Sequence, residues 1–378
     1  MLLSGMRILC VTLVLVFLSA CSIFPYRSDR IECPVIGAIR WDAWYGRKDA
    51  VGEAVQQSLG PEKWHYRLPF CGKILSPSEV EIDCSSQMVM DQEVEYARTA
   101  GINYWAFVVY SPEDPMSTGL ILYLSSLNKD RLNFAMISGA DSWGGPTHVD
   151  GIIERFVALM REPTYQRVLD NRPLFFLGFI RDADVKKVWG GDKKFLEAIR
   201  NFRESSINAG VGNPYIVVMD FDPRRAHELR LRFGFDAISS YAIHENAKRA
   251  PYSELGFTAY RFWETARSLD EKIVPTVMAG WDRRPRIETP VPWERDGADP
   301  GDGSERYYES PSPVELAAHL QDAISWVSKH PKAAAVNTVL IYAWNEYDEG
   351  GWIAPTLLEG DARVRAMGNM LRAVCSPY

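Results

Sequence analysis

One pattern recurs along this chain and restricts its fold more than any other. A short apolar run, rich in β-branched and aromatic residues, gives way to an amphipathic stretch of helical period. The apolar runs are Val35–Trp41, Tyr104–Tyr110, Asn133–Ser138, Leu174–Ile180, Tyr215–Asp220, Ala237–Tyr241, Val274–Ala279 and Thr338–Ala343. Their interiors are apolar on both alternating sides, as strands of a parallel sheet covered on both faces must be. Helical stretches lie between them: Asp91–Ala100, ending at Gly101, then Val149–Glu162, Lys193–Ala209, Arg224–Phe233 and Tyr252–Glu271. Ser312-Pro313-Val314-Glu315 opens another, with Ser312 as N-cap and Glu315 closing a capping box; Ala362–Val374 is the last. Eight strands alternating with helices predict a single (β/α)₈ barrel. A doubly wound open sheet is the alternative, and the first strand lacks the GxGxxG turn that would favour it.

The N-terminus reads differently. Arg7 precedes an apolar run from Ile8 to Ala20, too short to span a membrane and of secretory-signal form. It ends Leu18-Ser19-Ala20-Cys21, which resembles a bacterial lipobox and makes Cys21 the expected lipidation site. The expected organisation is a signal peptide over 1–20, a tether over 21–32 and a barrel domain over 33–378. Such a chain would sit in the bacterial cell envelope, held to a membrane by lipid at its N-terminus, with Ser22 favouring the outer membrane. A monomer is expected. The net charge of −7 leaves no basic patch for nucleic acid.

Four cysteines remain beyond the leader, an even number that suits an exported chain. None has zinc-ligand spacing, so no metal is expected. Cys71 and Cys84 would close a short loop. Cys33 and Cys375 would join the two ends of the domain where a barrel closes on itself.

Barrel chemistry sits at the strand C-termini and on the loops that follow. Two of these loops are long, Gly46 to Ser85 and Arg283 to Pro311. Aromatic and acidic residues recur at this rim: Asp42, Trp44 and Tyr45; Trp105 and Tyr110; Asp141 and Trp143; Tyr241; Trp281, Asp282 and Arg286; Trp344, Asn345 and Tyr347. Indole rings pack well against sugar faces, so these residues are candidate glycan contacts; core packing is the competing reading for the Trp residues. Arg286 either binds substrate or pairs with an acid to hold its loop. Asp42 and Tyr45 either bind sugar hydroxyls or cap the first loop, and His244 is either a ligand or a loop-packing residue. Glu346 and Glu349 stand three residues apart on one loop. Glycosidic cleavage needs one carboxyl group protonated and another ionised, and such a pair can supply both. Asp348 is either a third participant or a solvated loop acid.

Asn345-Glu346-Tyr347-Asp348-Glu349-Gly350 resembles the Asn-Glu-Trp-x-Glu-Gly signature of glycoside hydrolase family 99 and the related family 71/99-like barrels, some of them assigned as polysaccharide-biosynthesis glycosyltransferases. Asp91-Gln92-Glu93 to Phe107, Phe235-Asp236-Ala237 to Tyr241, and Pro275 to Arg286 with its Gly-Trp-Asp-x-x-Pro-Arg core agree with it. The resemblance implies a retaining, endo-acting glycosidase without metal or organic cofactor. It implies that Glu346 is the base on a sugar 2-hydroxyl, which closes an anhydro-sugar, and that Glu349 is the acid/base. Tyr347 replaces the signature Trp, Asp348 stands where the mannosidases have His, and Gly351-Trp352-Ile353-Ala354 replaces their Thr-Gln-Ile-Glu. Those differences bear on which sugar is bound. Two rival functions remain, a non-catalytic glycan-binding lipoprotein and a glycosyltransferase of envelope polysaccharide synthesis.

Overall fold

The computed structural model describes residues 32–245, 248–294 and 305–375. The leader, Cys21 and the tether up to residue 31 lie outside the described residues, as does part of the long loop after the seventh strand.

The barrel strands are β1 (Val35–Arg40), β2 (Tyr104–Val108), β3 (Asn133–Gly139), β4 (Arg172–Gly178), β5 (Tyr215–Met219), β6 (Ala237–Ser239), β7 (Thr276–Met278) and β8 (Thr338–Tyr342). They pair in parallel in chain order from β1 to β6, and β8 joins β7 to β1. The remaining seam, between β6 and β7, is bridged just before β7. The Ile238 N–H donates to Lys272 O at 2.9 Å, the Val274 N–H to Ile238 O at 3.0 Å, and Ser239 Oγ to Val274 O at 2.8 Å. The barrel is therefore nearly closed, as expected. Strands β5 and β8 are buried along their whole length, which explains why they read as continuous apolar runs.

Several expected strands end early. Ser240 and Tyr241 run past the ladder at β6, and Val109 and Tyr110 at β2. At β7 the ladder starts after Pro275, which has no N–H to donate. The helix expected from Asp91 begins at Gln87, because Ser86 caps it by accepting from the Val89 N–H. The Pro313–Lys329 helix has the full capping box, and Ala362–Val374 forms as expected.

The Gly46–Ser85 loop is ordered rather than irregular. It contains a helix, Ala50–Leu59, capped by Asp49, and a hairpin of Gly72–Ser76 with Glu79–Ile82. That helix packs so tightly on the loop entry that a Cβ at Gly52 would fall 2.1 Å from Gly46 O. A further helix, Thr118–Ser125, follows β2; its near-uniform apolarity gives no period to read.

Both expected disulfides are formed. Cys71 and Cys84 bridge the base of the hairpin, with Cα atoms 5.5 Å apart. Cys33, just ahead of β1, joins Cys375 at the end of the last helix, with Cα atoms 5.4 Å apart across 342 residues of sequence. A cross-link closing so long a loop restricts the unfolded chain strongly. Replacing Cys33 and Cys375 by Ser is expected to lower unfolding free energy by ~2–5 kcal/mol, read by denaturant titration. The Ser312→Ala variant is expected to cost ~1 kcal/mol in the same titration, through loss of its cap.

Candidate active site

The segment after β8 shapes the site. Asn345–Glu346 pairs antiparallel with Gly351–Trp352, and Tyr347–Glu349 forms one tight 3₁₀ turn between them. Gly350 ends that turn at φ +82°, and a Cβ there would fall 2.7 Å from the Asp282 backbone nitrogen. The loops after β7 and β8 thus touch along their backbones, where the Asp282 N–H donates to Glu349 O at 2.6 Å. The tight turn brings Glu346 and Glu349 to one cleft.

Arg286, almost fully buried, is the centre of the electrostatics. Its Nε and Nη2 donate to Asp348 at 2.7 and 3.0 Å. Its Nη1 donates to Glu349 and, at 3.1 Å, to Glu294, and Nη2 stands 3.5 Å from Glu346. The guanidinium lies 5.0 Å from the Trp41 ring and 5.6 Å from the Trp293 ring. Asp348 is completely buried and occupied by Arg286, so it is neither solvated nor a third reacting acid.

The two glutamates have opposite surroundings. Glu346 accepts from the Tyr241 hydroxyl at 2.6 Å through Oε1, while its Oε2 is buried with no hydrogen-bond partner. Burial and then the Glu349 charge push its carboxyl well above the usual range, and Arg286 only partly offsets them. Burial also acts on Glu349. There Arg286, Arg283 at 3.6 Å and the Tyr342 hydroxyl outweigh it and hold the carboxyl below the usual range. The surroundings thus push Glu346 toward its protonated form and Glu349 toward its ionised form.

The cleft above them has a volume of about 720 Å³. Of the residues expected at the rim, Tyr110, Tyr241, Trp281 and Arg286 line it beside Glu346 and Glu349. His244 also lines it, stacked on Trp281 at 4.2 Å, so it both packs and faces the cleft.

The other expected contacts do not reach the cleft. Asp42 is buried against Arg40 and Asn345. Asn345 is held by the Trp41 N–H, and its carbonyl by the Trp44 indole, so both Asn345 and Trp44 are scaffold. Tyr45 is buried and donates to Asp49. Trp105 and Trp344 pack on each other at 5.3 Å inside the fold, with Arg40 over Trp105. Trp143 is core, surrounded by Phe156, Phe175, Trp189 and Phe202. Tyr347 packs between Trp44 and Trp352. Asp282 is buried between Arg67 and Arg284 and fixes its loop. Asp141 is exposed on a short turn after β3 and does not line the cleft.

Sequence reasoning missed Trp41, Phe179, Arg181, Phe221, Arg283, Trp293 and Glu294, which all line the cleft. Phe179 lies one residue past the end of β4 and Phe221 two past the end of β5, the one signal that marked them.

No protein-family model and no curated protein matches the chain. Among solved structures, the GH99 endo-α-mannosidase from Bacteroides thetaiotaomicron in complex with bis-tris-propane is 12% identical, with a TM-score of 0.54, covering 90% of this chain and 97% of its own. A second structure of a GH99 endo-α-mannosidase from the same organism is 12% identical, with a TM-score of 0.52, covering 90% of this chain and 98% of its own. This chain resembles these family 99 enzymes in its barrel fold along nearly its whole length.

Proposed function

We propose that the protein is a glycoside hydrolase that cleaves a glycan with Glu346 and Glu349. The observation that carries this reading is the placing of two buried carboxyl groups in one cleft with unlike partners, Tyr241 on Glu346 and Arg286 with Tyr342 on Glu349, which favour the proton on the first and the charge on the second. Hydrolysis of a glycosidic bond needs that division, since the leaving oxygen takes a proton while a carboxylate acts at the reacting sugar. Pure binding needs no such pair. The cleft walls supply Trp41, Tyr110, Trp281 and Trp293 as surfaces for sugar faces. The leader and Cys21 support placing this activity at the bacterial envelope on a lipid anchor.

The family resemblance adds a retaining, endo-acting route through the sugar 2-hydroxyl, with Glu346 as base and Glu349 as acid/base. The surroundings of the two groups favour the opposite order. They push Glu346 toward the protonated form, which can give a proton, and Glu349 toward the carboxylate, which can take one from a hydroxyl or a water.

Release of reducing ends from mannans, rhamnans and bacterial surface polysaccharides tests the function. The Glu346→Gln and Glu349→Gln variants are each expected to lose ~10²–10⁴-fold in kcat. Tight binding to one glycan by the wild type and both variants, with no release, would establish a binding protein instead. On an aryl glycoside with an activated leaving group, which needs no acid, Glu346→Gln is expected to keep the greater activity. Retention by Glu349→Gln instead would restore the order of the resemblance.

The pH dependence follows from the same charges. Activity falls on the acid side as Glu349 takes up a proton below the usual carboxylate range. It falls on the alkaline side as Glu346 loses its proton above that range. A plateau in kcat/KM wider than two ordinary carboxylates would give is the expected profile.

A further inference from the structure

The cleft does not end at the glutamates. A second cavity of about 530 Å³ opens beside it over the ends of β4 and β5, and Phe179, Arg181, Phe221 and Tyr241 line both. The two cavities form one groove that passes Glu346 through Tyr241.

The walls of this extension are aromatic, and its charged side chains are two arginines, Arg181 and Arg225, and two aspartates, Asp182 and Asp220; Asp182 pairs with Arg225 and Arg232, and Asp220 with Arg225. Phe221 is 55% exposed, a large apolar ring left open to solvent at the groove edge. Phe179 is held at φ +56°, a backbone conformation that bulky side chains rarely adopt, directly after β4. Its ring lies 5.8 Å from that of Tyr241, whose hydroxyl holds Glu346. Phe221 in turn lies 6.0 Å from His244, the ring stacked on Trp281.

Among the described residues, the cations of the groove are engaged, with one exception. Arg286 is occupied by Asp348, Glu349 and Glu294, and Arg283 by Glu294 and Glu349. Arg225 donates to Asp182 and Ile180 O and pairs with Asp220 at 3.4 Å. The Arg181 carbonyl accepts from the Asp184 and Val185 N–H groups, but its guanidinium has no hydrogen bond, ion pair or ring contact among the described residues, and it lines both cavities. The nearby acids Asp49 and Asp114 accept from backbone N–H groups at helix starts, and Asp220 accepts from the Asp222 N–H.

We propose that the groove over β4 and β5 is a subsite for an acidic sugar residue, with Phe179 and Phe221 as its stacking walls and Arg181 as the cation that pairs with its carboxylate. This rests on the glycan-cleaving reading and names the substrate class, a polysaccharide carrying uronic acids. An unpaired guanidinium matches a carboxylate with two parallel donors, and the flanking rings reduce the water that would screen the pair.

The test measures binding by calorimetry to the full mature chain. The probes are oligogalacturonate and oligomannuronate, each beside its carboxyl-reduced, neutral counterpart. Chain length and linkage are kept within each pair, so charge is the variable. The wild type is expected to bind at least one acidic probe about tenfold tighter than its neutral counterpart, and the preference is expected to shrink at high salt. The Arg181→Gln variant is expected to lose the preference, with its affinity for the acidic probe falling to that of the neutral one. Phe221→Ala is expected to weaken both members of the pair alike. Equal binding of acidic and neutral probes, no binding of any probe, or an Arg181→Gln loss that is the same for both would overturn the proposal. Reducing-end release from the same probes separates the two readings. Charge-dependent binding without release keeps the subsite and removes the hydrolase. Release from neutral glycans with no dependence on Arg181 does the reverse.

Discussion

A buried arginine shared among four carboxylates is the constraint on which the site depends. Arg286 comes from the loop after β7; Glu346, Asp348 and Glu349 come from the loop after β8. Without the guanidinium, three acids in van der Waals surroundings could not all stay ionised. With it, Asp348 and Glu349 are satisfied and Glu346 is left over, half a contact too far from the cation and short of one hydrogen bond. The asymmetry that separates the two glutamates is therefore a matter of where one planar group can reach. Trp41 and Trp293 hold that plane in place, and the close backbone approach at Gly350 sets the distance between the loops.

Much of the scaffold was legible because barrels repeat. Strand and helix periods alternate with enough regularity that eight strands could be read, and the capping box at Ser312 and the stop at Gly101 are local devices written in adjacent residues. The helix at Thr118 was not legible, since an apolar stretch carries no period. The helix and hairpin inside the first long loop were hidden by polar and glycine-rich composition, although Gly52 and Asp49 are the residues such a helix requires there.

The site was legible at its motifs and poorly so elsewhere. Glu346 and Glu349 stand in one short segment and Arg286 in another. The aromatic rim is a different matter. Trp44, Trp143 and Trp344 follow strand ends just as Trp41 and Trp281 do, yet only the last two face the cleft, and Trp105 lies inside β2. Which side chain faces the mouth depends on pleat direction and on how the following loop folds back, and a shift of one residue reverses it. Asp42 and Asp282 were misread for a related reason. Their partners are fixed by three-dimensional contact, and for Asp282 one of them, Arg67, lies 215 residues away.

The bond between Cys33 and Cys375 makes the described domain a closed loop in the covalent sense as well as in its hydrogen bonding. Main chain runs once around and is sealed where it began, on the face opposite the cleft. A single cut by a protease anywhere between those two positions yields no separate pieces. The severed ends stay on one molecule, free to lie back in register, and the break becomes visible as two fragments only after a reductant opens the seal.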